Sequence, residues 1–105
     1  MRVDLHVHST ASDGTSSPRE LASAAAAESF AVIALTDHDN LDGIDEFRSA
    51  GRKERENGAK TIFLAGVELS IDPGLGFDKF HLLALGVDRG NERLNTLLEI
   101  GRAHV

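Results

Sequence analysis

"FAVIALTDHDN", residues 30–40, decides the fold. Its first seven residues are nearly all apolar and β-branched enough for a strand buried on both faces, as in a parallel sheet. Its end, "TDHDN", sets Asp37, His38 and Asp39 directly beyond that strand. Immediately upstream the sequence predicts a helix. Ser17-Pro18-Arg19-Glu20 supplies an N-cap, a proline at the first helical position and the glutamate of a capping box. The alanine-rich "ASAAAAE", 22–28, then carries the strongest helix-forming residue. Downstream, residues 41–57 read as an amphipathic helix with Leu41, Ile44 and Phe47 on one side and Gly58 as its stop.

"TIFLAGVELSI", 61–71, and "DKFHLLALGVD", 78–88, read as two more strands. Pro73, Gly74 and Gly76 in the connecting "DPGLGF" demand a turn. That connection is too short for a parallel crossover, so the pair is expected to form an antiparallel hairpin. "NERLNTLLEI", 91–100, begins another helix, with Asn91 as a candidate cap. At the start of the chain, Val3, Leu5 and Val7 alternate with Asp4, His6 and His8, the period of a half-buried strand. Strand, helix, strand, helix, hairpin, helix is an α/β order.

The 105 residues fit one small domain, and 41% hydrophobic with 27% charged residues is ordinary for a soluble globular protein. There is no apolar run long enough to span a membrane and no secretory signal pattern. The absence of cysteine excludes disulfides and thiolate ligands, and fits a cytoplasmic protein. A net charge of −6 with no basic patch, and five aromatics that are all Phe, argue against tight non-specific nucleic-acid binding. Bound cations could still reverse the charge of a pocket locally.

The polar residues gather at strand ends, where functional groups collect in such folds. His6 and His8 share one strand face, roughly 6–7 Å apart, and Asp13 lies in the loop beyond. A carboxylate at Glu68, inside a buried-looking strand, asks for a partner. A hairpin turn centred between Gly74 and Leu75 would set His81 directly opposite Glu68. Each residue also has a plainer reading. Asp13-Gly14 serves as a turn, and at least one of Asp37, Asp39 and Asn40 caps the next helix. Glu68 pairs with an arginine, His81 is a core histidine, and Glu54, Arg55 and Glu56 form a solvated helix face. Jointly these readings are weak. Four of the five histidines, with Asp13 and Glu68, fall at one end of the expected sheet.

"DLHVHSTASDG", "ALTDHDN", "GVELS" and "FHLLALG", in that order and spacing, closely resemble the N-terminal part of the PHP (polymerase and histidinol phosphatase) family, over residues 2 to about 88. The match is strongest with its small bacterial phosphoesterases. The resemblance implies the N-terminal portion of a distorted seven-stranded (β/α) barrel, with up to three divalent metal ions at the strand ends. It puts His6, His8 and Glu68 on one ion, has Glu68 bridge to a second that also takes His81, and gives Asp13 and His38 to a third. Asp37 would support without ligating. Imidazole and carboxylate without thiolate suit Mn, Zn or Fe. Paired ions can acidify a bridging water and present hydroxide to phosphorus, so no protein nucleophile is required; neither Ser9 nor Thr10 is marked as one.

The expected activity is hydrolysis of phosphate monoesters of nucleotides or similar small substrates, including 5′ to 3′ trimming of short oligonucleotides. The alternatives are the PHP module of a bacterial DNA polymerase, an amidohydrolase-type hydrolase, or a non-catalytic metal-binding fragment. Full-length family members also supply a further histidine and a late Asp-x-His pair, which this chain lacks. "EIGRAHV" does not read as a continuation of "NERLNTLL". Residues 1–98 are therefore expected to be an incomplete PHP domain and 99–105 a non-native tail, with His104 outside the site.

Overall fold

The computed structural model describes residues 1–103. Strands β1 (Val3–Val7), β2 (Val32–Leu35), β3 (Ile62–Ile71) and β4 (Phe80–Leu85) are joined through helices α1 (Pro18–Ala27) and α2 (Ile44–Glu56), and α3 (Glu92–Ala103) follows β4. The four strands form one sheet in sequence order. β1, β2 and β3 run parallel, and β4 returns antiparallel to β3. The α/β order and the hairpin are as the sequence predicts.

Local chemistry places the helices. Ser17 accepts from the Glu20 backbone and Glu20 reaches back to the Ser17 N–H, closing the capping box ahead of Pro18. Asn91 accepts from Leu94 at the start of α3. The second helix begins at Ile44, three residues later than the amphipathic pattern suggests. Its N-cap is Gly43, with no side-chain cap, so none of Asp37, Asp39 or Asn40 caps it. The two aspartates are instead bonded to serines, and Asn40 accepts from Asp42 in a local turn.

Ile33, Leu35, Ala65, Val67 and Leu69 project from one sheet face onto Ala22 and Ala25 of α1, Ile44 and Phe47 of α2 and Leu98 of α3. The alanines of α1 have little side chain to hold the helix away. Leu98 is 1% exposed, which ties the first turns of α3 into the core. Of the segment 99–105, residues up to Ala103 continue α3, and His104 and Val105 lie outside the described residues.

Two registers differ from the sequence expectation. In β1, Val3 lies opposite Val32 and Val7 opposite Leu35, so β1 carries one more residue than β2 over that span. Such a bulge breaks the alternation. Val7 packs against the core, whereas Leu5, expected beside it, is 38% exposed. In the hairpin, Glu68 faces Leu83 and Ser70 faces His81, so the turn centres one residue later than Gly74-Leu75. Gly74, Leu75 and Gly76 are consecutive left-handed residues that set this longer turn. The two-residue slip leaves Glu68 and His81 on the same face, because strand side chains repeat every second residue.

Candidate metal centre

Glu68 lies on the sheet face opposite its core-facing neighbours Val67 and Leu69, with its side chain 3% exposed. Each of the other three strands, or the segment just beyond it, delivers an imidazole to it. His6 of β1 contacts Oε1, and His8, just past β1, brings Nε2 to 3.1 Å from the same oxygen. His38, beyond β2, brings Nδ1 to 3.2 Å from Oε2. His81 of β4 brings Nδ1 to 2.8 Å from Oε2. The rings form an arc, with centroids 5.1 Å apart for His6–His8, 4.3 Å for His8–His38 and 5.3 Å for His38–His81. In a flat sheet β1 and β4 would lie about 14 Å apart. Side chains from both edge strands meet at Glu68 because the sheet curls.

Asp13 completes the arc. Its carboxylate oxygens lie 2.7 Å from His8 Nδ1 and 3.1 Å from His38 Nε2. Gly14 makes this approach possible. A Cβ there would stand 2.2 Å from the His8 carbonyl oxygen and 2.9 Å from Ser9 Cα, and the Gly14 N–H donates to the Ser9 carbonyl. The Asp-Gly pair is thus both a turn and the carrier of a donor.

Among the described residues, the ion-pair partners of Glu68 are all imidazoles; no arginine pairs with it. His81 is 58% exposed at its side chain and is not a core histidine. Burial pushes the Glu68 carboxyl up, but hydrogen bonds from His6 and His8 and the nearby charge of His38 and His6 outweigh it. The net result is a carboxyl held below its usual range. For Asp13 desolvation also raises, while the charges of His38 and His8 and a hydrogen bond to His8 bring it below the usual range.

Three groups present donor atoms within 4.8 Å of one another: His6, His8 and Glu68; His8, Asp13 and His38; and His38, Glu68 and His81. The structure therefore brings together all six residues singled out in the sequence. His8 and His38 each belong to two groups. A neutral imidazole offers one lone pair, so each can serve one ion at a time. The donor chemistry fits divalent cations: borderline nitrogen and hard oxygen donors converge, and among the described residues no lysine or arginine pairs with Glu68 or Asp13.

Among the described residues, Asp37 makes no hydrogen bond or ion pair with a histidine. It is 2% exposed and accepts from the Ser9 N–H and hydroxyl and from the Ser12 hydroxyl. Asp39, 6% exposed, accepts from the Ser70 N–H and hydroxyl. Sequence reasoning missed Ser9, Ser12 and Ser70 in this role, for no local pattern couples residues about thirty apart. Glu54 and Arg55 are not wholly solvated either: Glu54 accepts from Ser23, and Arg55 donates to the Thr61 carbonyl at 2.7 Å.

The chain is similar to a 5′-3′ exoribonuclease of Haemophilus influenzae, with 41% identity over 97% of this chain and 35% of the relative. It is similar to a 3′,5′-nucleoside bisphosphate phosphatase of Chromobacterium violaceum, with 40% identity over 82% of this chain and 28% of the relative. Two solved structures share the fold. One, described as an amidohydrolase from Chromobacterium violaceum with bound sulfate, matches at a TM-score of 0.84 and 36% identity, over 98% of this chain and 34% of that one. The other, assigned as a metal-dependent phosphoesterase from Bifidobacterium adolescentis, matches at 0.81 and 30%, with the same coverage. The chain thus spans about a third of the length of these relatives. The PHP domain family matches residues 4–100, running past β4 into α3, and the chain belongs to that family.

Proposed function

We propose that this chain is a metal-binding portion of a metal-dependent phosphoesterase. Its substrates would be phosphate monoesters of nucleotides or similar small molecules, including the 5′ ends of short oligonucleotides trimmed 5′ to 3′. One observation carries the reading: among the described residues, the buried carboxylate Glu68 faces four imidazoles and no arginine or lysine. His6, His8 and Glu68 would hold one divalent ion, Glu68 and His81 a second, and Asp13 with His38 a third, as Mn, Zn or Fe. Bound there, such ions supply an acidified water and positive charge for the phosphate oxygens. The protein's part is to hold and orient. Glu68, with two oxygens facing different histidines, would bridge two ions. Ser9 is fully buried with its hydroxyl committed to Asp37, so it does not serve as a nucleophile.

The relatives named as a bisphosphate phosphatase and an exoribonuclease support nucleotide phosphates as the substrate class. Sulfate in the similar structure has the tetrahedral shape of phosphate. That same structure is described as an amidohydrolase, which favours amide hydrolysis as the second reading.

The test has two steps. Mn²⁺ uptake by this chain is measured by calorimetry. The product of the coding frame read past Leu98 is then assayed with Mn²⁺ on a nucleoside 3′,5′-bisphosphate, a short oligoribonucleotide and an amide. Chelator-sensitive release of phosphate or nucleotide is expected. Cleavage of the amide alone selects the second reading, and a chain that takes up no metal refutes both.

A further inference from the structure

We propose that Asp37 and Asp39 are paired positioning residues, and that together they brace the ends of β1 and β3 so that the metal donors meet. The inference rests on the metal-centre reading. The tripeptide Asp37-His38-Asp39 lies against β3: the Glu68 N–H donates to the Asp37 carbonyl at 3.0 Å, and the Asp39 N–H donates to the Glu68 carbonyl at 3.1 Å. Its main chain therefore holds both sides of Glu68, and His38 points to the carboxylate between them.

The flanking side chains reach in two directions. Asp37 takes the Ser9 N–H at 2.6 Å and the Ser9 hydroxyl at 2.7 Å, and a second hydroxyl from Ser12 at 2.7 Å. Ser9 directly follows His8, and Ser12 directly precedes Asp13. Asp39 takes the Ser70 N–H at 2.7 Å and its hydroxyl at 2.6 Å. Ser70 lies opposite His81 in the hairpin and two residues past Glu68. Each aspartate thus grips one serine by both of its donors, on opposite flanks of the arc.

Two further features show that the grip is more than packing. Asp39 sits at a φ of +53°, a left-handed backbone that a non-glycine residue adopts only at a cost. Both carboxylates are buried, and among the described residues neither is paired with a lysine or arginine. Neutral N–H and O–H donors alone hold these charges, through short, directional, charge-assisted bonds. A neutral side chain would avoid burying the charge. Two buried negative charges flanking His38 fix the donors and also favour cations beside them.

Co²⁺ alone is the probe, titrated into the whole chain and followed by calorimetry and visible absorption. The variants are Asp39→Asn, Ser70→Ala, Ser70→Thr, Ser9→Ala and the Asp39→Asn/Ser70→Ala pair. Removing a group that orients a ligand typically costs about 10–100-fold in metal affinity, and that loss with an altered absorption band is expected for Asp39→Asn, Ser70→Ala and Ser9→Ala. The pair should be no weaker than either single change, and Ser70→Thr, which keeps the hydroxyl, should restore binding. Should Asp39→Asn fail to fold, the Ser70→Ala and Ser70→Thr comparison decides, since it changes little volume. Folded variants that keep the wild-type affinity and spectrum, and lose only metal-free thermal stability, overturn the brace alone. No Co²⁺ uptake by the wild type overturns the metal centre and the brace with it.

Discussion

Gly14 is the position where one methyl group tests the site most sharply. An added Cβ would stand 2.2 Å from the His8 carbonyl oxygen, 2.6 Å from its carbon and 2.9 Å from Ser9 Cα. All three atoms are backbone, so no rotamer change relieves the clash. The first contact falls about 1.2 Å short of the 3.4 Å at which ordinary contact begins, and the loop must shift by a comparable distance. Overpacking of this kind costs about 1–3 kcal/mol. At about 2 kcal/mol, the midpoint of thermal unfolding should fall by roughly 8–16 °C for a domain of this size. The same shift carries Asp13 away from His8 and His38, now 2.7 and 3.1 Å distant. Metal ligands must hold within about 0.2 Å of their proper distances, so on the proposed reading an ion held by Asp13 should bind at least tenfold more weakly. Calorimetric Mn²⁺ titration and thermal unfolding of Gly14→Ala would read both effects. Gly90→Ala is the control, since its nearest neighbour would be 3.6 Å away and no strain is expected. A Gly14→Ala protein as stable as Gly90→Ala, with unchanged Mn²⁺ binding, would refute the reasoning.

Phe47 is fully buried and packs edge-on against Phe63 with centroids 5.6 Å apart. Phe47→Ala should cost about 3–5 kcal/mol in urea unfolding, and a loss below about 1 kcal/mol would contradict the core assignment. Ser17→Ala removes the α1 capping box and should cost about 1 kcal/mol, with Ser17→Thr largely restoring it. Glu68 and Asp13 are both held below the usual carboxylate range in the folded chain. The stability they add without metal is therefore complete above the unfolded value, 4.5 for Glu68, and is lost as pH falls through the lower folded value. Glu68→Gln should flatten that acid limb of the unfolding curve. An unchanged limb would show that the imidazoles do not stabilise the ionised carboxylate.

The elements were legible because their signals are local. The capping box at Ser17 and Glu20 spans one helical turn, and a buried run such as 30–36 reports its own burial. The hairpin followed from a connection too short to cross the sheet. Placement at strand ends gathered the candidate donors, and the resemblance to the PHP family singled out six of them. The slip in hairpin register did no harm to the expected pairing of Glu68 with His81, because an even slip preserves the face. A slip of one residue would have separated them.

What the sequence by itself determined is therefore the α/β order, the antiparallel return and the set of side chains that meet. Only the tertiary structure decided how they meet. The extra residue in β1 turns Leu5 away from the core, and no composition marks it. The bonds from Asp37 to Ser9 and from Asp39 to Ser70 join residues 28 and 31 apart, so they exist only once the strands lie side by side. Helix caps and strand periods are set by neighbours along the chain; register, curl and cross-strand bonds are set by neighbours in space.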